Sequence, residues 1–215
     1  MNMPFSSKEF IQVIVTYNQA VWPIQIVLTF IAFLSLMLIW KKNEARSQIA
    51  SGILGGYWIW MGIVYHWIHF TSINKAAWVF GGLFLLQGAL FIYDAVVARK
   101  LLFSLNDSGS RVLTWLFLGY ALLLYPVIGT MVGHAYPQLP TFGLPCPTTI
   151  FTFGILLTSV RRIPIRLLII PALWSIIGFS AALNFGVYED VGLLVAAILG
   201  TLTIILKNRK LQQNQ

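Results

Sequence analysis

Twelve of the fourteen Lys and Arg residues fall in every second gap between long apolar runs. They group as Lys41, Lys42 and Arg46; Arg99, Lys100 and Arg111; Arg161, Arg162 and Arg166; and Lys207, Arg209 and Lys210. The intervening gaps hold only Lys75, with Lys8 near the start. Cationic loops stay on the cytoplasmic side of a membrane, so this alternation predicts how the chain threads a bilayer. The composition agrees. At 58% hydrophobic and 9% charged residues, the chain lacks the roughly 25% charged residues with which a soluble domain covers its surface. The +8 net charge sits in short loops beside apolar spans, where it meets anionic headgroups; nucleic acid is not an expected partner.

A backbone in lipid must satisfy its own polar groups, so each apolar run reads as a helix of about 20 residues. Residues 1–215 are expected to form a single integral membrane domain with seven spans, at about 20–40, 49–68, 76–97, 112–133, 147–160, 167–185 and 191–206. The fold class is therefore an all-α, seven-transmembrane-helix bundle, N-terminus outside and C-terminus cytoplasmic. The fifth run is short enough to suit a re-entrant hairpin, but that would leave Arg161, Arg162 and Arg166 outside, against the charge rule. The first residues, Met1 to Asn18, lack the basic start and apolar middle of a cleavable signal. Ser6 or Ser7 with Glu9 predicts a capped helix start, with an apolar face from Phe10 to Tyr17. It reads either as a short helix on the outer interface or as an extension of the first span. Pro126 and Pro171 fall mid-span and predict kinks. Gln87 is expected to bond to a neighbouring helix. Asp94 is expected to snorkel toward Arg99 and Lys100 at the inner face.

With the topology assigned, His66, His69, His134, Cys146, Glu189 and Asp190 share one level, the outer end of the spans. Ionisable groups there are costly and make a functional hypothesis. His66, His134 and Asp190 are candidate ligands for a divalent metal such as zinc, two imidazoles and a carboxylate leaving one position open. His66 and His69, three apart, are expected on one helix face. Tyr65, Tyr136, Cys146, Thr148 and Glu189 complete a candidate polar site. The stretch from Gly133 to Thr149 carries four prolines, so it cannot be helical throughout. It reads as a lid or pore mouth, or as a rigid connector. Lone Cys146 permits no disulfide within the chain. Spans one to three and five to seven share Trp-Pro or Cys-Pro openings and a Trp-x-x-x-Gly, Trp58 to Gly62 and Trp174 to Gly178, the outline of a parallel repeat.

At WIWMGIVYHWIHFTSINKAAW (Trp58 to Trp78) and YPVIGTMVGHAYPQLPTFGLPCPTTIFTFG (Tyr125 to Gly154), the chain resembles a bacterial family of small multi-pass membrane proteins known as a domain of unknown function. The resemblance runs from YNQAVWP, Tyr17 to Pro23, through VYEDVGLL, Val187 to Leu194. The family's usual Asn-Pro after the second span reads Asn74-Lys75 here. The resemblance implies a bacterial inner-membrane protein and supplies no activity.

The functional expectation is transport of a small solute or ion through an outward-facing polar site, with membrane lipid as the surrounding partner. One alternative is a membrane-embedded metal-dependent hydrolase, with Glu189 as general base to a metal-bound water. Another is a non-catalytic accessory role. The sequence names no substrate and no oligomeric state.

Overall fold

The computed structural model describes residues 4–213. Among them the chain is helical and contains no strand. Ser6 caps α1 (Ser7–Ala20), and the Glu9 carboxylate accepts hydrogen bonds from the Ser6 N–H and hydroxyl in a reciprocal capping box. α2 (Ile24–Leu38) leaves α1 at 83°, so α1 is not a straight extension of the first apolar run. α1 buries Val13, Ile14 and Tyr17, and its Phe10 ring stacks on Phe185 at 4.8 Å.

α3 (Glu44–Trp60) continues as a π-helix over Met61–His69. α4 (Ala77–Tyr93) ends in a π-helical turn, Asp94–Ala98. α5 (Arg111–Gly119) passes through the π turn Tyr120–Leu124 into α6 (Tyr125–Met131). α7 (Pro145–Leu157), α8 (Arg166–Phe185) and α9 (Val191–Gln213) follow. Four stretches are long and apolar enough to cross a membrane: Ala77–Ala98, Arg111–Met131, Arg166–Phe185 and Tyr188–Gln213; the bent pair α1 and α2 makes a fifth if taken as one. Large apolar side chains face outward, among them Ile26, Phe30 and Met37 of α2 at 56%, 68% and 70% exposure. Such a surface suits lipid.

α7 differs from the expected fifth span. It has 13 residues, and every one from Thr148 to Leu157 is buried, in a place between α5 and α9. A helix enclosed by other helices does not have to match the thickness of lipid.

The helices meet closely where glycines replace side chains. A Cβ on Gly55 of α3 would stand 2.9 Å from the Gly88 carbonyl of α4, and one on Gly88 2.8 Å from the Gly55 carbonyl. The two prolines are accommodated differently. Pro126 directly follows the π turn Tyr120–Leu124 within one continuous helix, Arg111–Met131, so its missing N–H falls where the regular α-helical bonding is already interrupted. Pro171 lies inside α8 and cannot donate to the carbonyl of Leu167, four residues earlier. Gln87 of α4 donates to that carbonyl instead, at 3.2 Å. The predicted bond of Gln87 to a neighbouring helix thus forms at the acceptor that Pro171 leaves open.

Asp94 does not pair with Arg99 and Lys100. Its buried carboxylate receives both hydrogen bonds from one Arg166 nitrogen, at 2.8 Å each. The π turn directs Asp94 toward α8, and Arg99 turns the chain away in the left-handed region, φ 49°.

Candidate functional site

The C-terminal ends of α6 and α8 and the N-terminal ends of α7 and α9 converge on two adjacent carboxylates. α8 terminates at Gly186, whose φ of 74° suits a residue without Cβ. The chain then makes one 3-10 turn, Tyr188–Asp190, into α9. Glu189 and Asp190 are thereby inserted into the bundle beside the positive end of the α9 dipole, and both are essentially fully buried.

Glu189 Oε1 lies 3.0 Å from His134 Nδ1. Its other oxygen, Oε2, is buried with no hydrogen-bond partner. Its backbone carbonyl accepts from the Tyr120 hydroxyl at 2.8 Å. Asp190 Oδ1 accepts from the Tyr125 hydroxyl at 2.5 Å. The Cys146 thiol lies against Asp190 and the Trp174 indole. Tyr65 is buried, with its ring 5.8 Å from that of Tyr17 and 5.1 Å from that of His66. Among the described residues neither acid has a Lys or Arg within ion-pair distance; His134, partly exposed at 17%, is the one basic neighbour.

His66 is placed otherwise than the metal expectation required. The π-helix tucks it inward, where Phe84 at 4.5 Å, Trp174 at 5.0 Å and Tyr65 at 5.1 Å surround its ring. Both ring nitrogens are buried without hydrogen-bond partners. His69, by contrast, bonds to the Val64 carbonyl at 2.7 Å and packs on Tyr17 of α1. The wide π turn separates two residues that an α-helix would put on one face. His134 is held by Glu189, and Asp190 by Tyr125, so His66, His134 and Asp190 do not form a common ligand set. No group of three His, Cys, Asp or Glu side chains arranged to hold an ion occurs among the described residues.

Two other expected site residues hold the proline-rich segment. The Tyr136 hydroxyl donates to the Asn18 carbonyl at 3.2 Å, and its ring lies at the surface near Trp22. Thr148 is buried, and its hydroxyl accepts the Gly143 N–H at 3.0 Å. Asn18 is the main fastening. Its side-chain amide donates to the Pro137 and Leu139 carbonyls, both at 2.8 Å, and its oxygen accepts from the Thr141 hydroxyl at 2.7 Å. Tyr17 adds a bond to the Gly143 carbonyl and receives one from the Trp60 indole at 2.8 Å. The segment is thus strapped across the corner between α1 and α2. Beneath it a cleft of about 490 Å³ between α2 and α6 reaches Tyr125, with Gln25 on its wall. The Gln25 Oε1 atom is buried and unpartnered.

Pattern reading passed over Asn18, Tyr120, Tyr125 and Trp174 as site residues. Neutral side chains in apolar runs look like packing or interface anchors, and only the fold puts Tyr120 and Tyr125 against the two acids, Trp174 beside Cys146 and Asn18 against the proline-rich segment. The available signal was YNQAVWP, whose Tyr17 and Asn18 fasten the segment.

The chain matches no curated protein and no solved structure. A family model, the Family of unknown function DUF6064, matches residues 7–215, and the chain belongs to that family.

Proposed function

We propose that this protein is a bacterial inner-membrane transporter of a small solute or ion, with seven spans, its N-terminus outside and its C-terminus in the cytoplasm. One observation carries the transport reading: among the described residues Glu189 and Asp190 are buried side by side without a Lys or Arg partner, and one Glu189 oxygen has no hydrogen bond. Two adjacent negative charges in apolar surroundings are costly. A site of this kind is suited to hold a proton or a small cation and to release it when access changes. His134 links the pair to the outer surface. The cleft ending at Tyr125 offers a solute a route from the side. The π turns beside the site are weak points in helix hydrogen bonding at which a bundle can move. The topology rests on the alternation of cations, and the bacterial inner membrane on that alternation together with the family resemblance.

The test is flux in proteoliposomes, read with an internal pH dye and then with sodium and potassium gradients. The wild type should move protons or a cation, and Glu189→Gln and Asp190→Asn should each lower the rate at least tenfold while the protein stays folded. No flux from well-folded protein under any gradient, or undiminished flux in both variants, rejects the acid-pair mechanism. Reporter fusions at the two termini check the orientation; an N-terminal tag accessible only from the cytoplasm overturns it.

A further inference from the structure

At the opposite end of the bundle, residues of α4's end, the loop before α8 and the last turns of α9 enclose a cleft of about 1040 Å³. Its rim carries Arg99, Lys100, Arg161, Arg162, Arg166 and Arg209. Two of these are neutralised, Arg161 by Glu44 and Arg166 by Asp94. Arg99, Lys100, Arg162 and Arg209 have no carboxylate within ion-pair distance among the described residues. Four uncompensated cations around one cleft repel each other, and an anion in the cleft relieves that repulsion.

The cleft is also built. Asn208 of α9 accepts the Ile163 N–H at 2.9 Å and donates to the Ile163 carbonyl at 2.8 Å, which bolts the basic loop to α9. Arg99 sits in the left-handed region at φ 49°, a conformation that a residue with a Cβ rarely adopts. Arg161 holds it there through the Arg99 carbonyl, at 3.3 Å. The backbone is therefore strained at the place where Arg99 and Lys100 enter the rim.

The apolar part of the lining identifies the class of anion. Ile163, Ile165, Ile205 and Leu211 line the same cleft as the cations, and Ile165 is 63% exposed. A free inorganic anion has no use for apolar lining residues. An amphiphile does, with its phosphate among the guanidinium groups and its acyl chains along the isoleucines. We propose that this basin is a binding site for an anionic phospholipid, recognised by its phosphate and held by its acyl chains against the apolar lining.

Native mass spectrometry of the purified protein in detergent tests the proposal, with phosphatidylglycerol and phosphatidylcholine titrated separately. The wild type should bind phosphatidylglycerol more tightly. Each rim cation contributes about fivefold near a membrane surface, so Arg162→Gln with Arg209→Gln should weaken binding about thirtyfold. Lys41→Gln with Lys42→Gln removes the same charge from outside the basin and should leave binding nearly unchanged. A Lys100→Gln, Arg209→Gln pair gives the same reading should the first pair fail to fold. Equal losses in basin and control variants, or equal binding of the zwitterionic lipid, overturn the site. Displacement of phosphatidylglycerol by comparable concentrations of glycerol 3-phosphate overturns the lipid and assigns the basin to a free phosphate ester.

Discussion

Gly55→Ala and Gly56→Ala are neighbouring, chemically identical changes in α3 with opposite expected outcomes. Both replace glycine within a helix, which by itself favours the folded state by up to about 1 kcal/mol. Gly56 is exposed, and a Cβ there meets nothing within 4 Å. Gly55 is buried, and its Cβ would stand 2.7 Å from Ile92 Cγ1 and 2.9 Å from the Gly88 carbonyl. A backbone oxygen cannot rotate aside, so α3 and α4 must separate or Ile92 must leave its rotamer, at a cost of about 1–3 kcal/mol. The propensity gain is common to both variants and drops out of the comparison. Gly55→Ala should therefore be less stable than Gly56→Ala by about 2 kcal/mol, a difference of several degrees in thermal unfolding in detergent. Gly88→Ala should resemble Gly55→Ala, since its Cβ meets the Gly55 carbonyl at 2.8 Å. The double variant should lose less than the two losses added, because helices already parted accommodate the second methyl more easily. If Gly55→Ala and Gly56→Ala raise the melting temperature alike, the close approach of α3 and α4 is wrong.

Gln87→Ala should cost about 1–3 kcal/mol in detergent unfolding, because it orphans the Leu167 carbonyl that Pro171 already cannot serve. Restoring a donor within α8 by Pro171→Ala should recover part of that loss in the double variant. Asn18→Ala removes three side-chain hydrogen bonds to the proline-rich segment, each worth about 1 kcal/mol; limited proteolysis between Gly133 and Leu144 should accelerate, with the helices intact. Glu9 gives a pH prediction. The Ser6 N–H and hydroxyl hold its carboxyl below the usual range, so its capping is present above the ordinary Glu pKa and is lost as pH falls through the lowered folded value. Hydrogen exchange of the first turn of α1, corrected for intrinsic rates, should rise on that acid side and stay flat near neutrality. Glu9→Ala should abolish the dependence.

The local elements were legible in the sequence because their signals are local. Ser6 with Glu9 marks the start of α1, and apolar runs mark Ala77–Ala98, Arg111–Met131 and Arg166–Phe185 within a few residues. The common level of His134, Cys146, Glu189 and Asp190 was also readable, since it follows from position along helices of known rise. Partners were not. Asp94 has two cations close in sequence and bonds to a third in α8. His66 has another imidazole three residues away, and the π turn carries the two to different surroundings.

What the sequence determined by itself is therefore axial: which segments are helices, where they begin, and which residues lie at which end. Hydrophobicity, capping and charge alternation all act along the chain. What only the tertiary structure decided is rotational and lateral: which face of each helix turns inward, and what it meets there. A π turn shifts that face without changing the composition, and α7 is buried all round because of what packs against it. The pairing of His134 with Glu189 and of Tyr125 with Asp190 depends on both, since it joins residues 55 and 65 positions apart whose bonding is set by the packing of other helices.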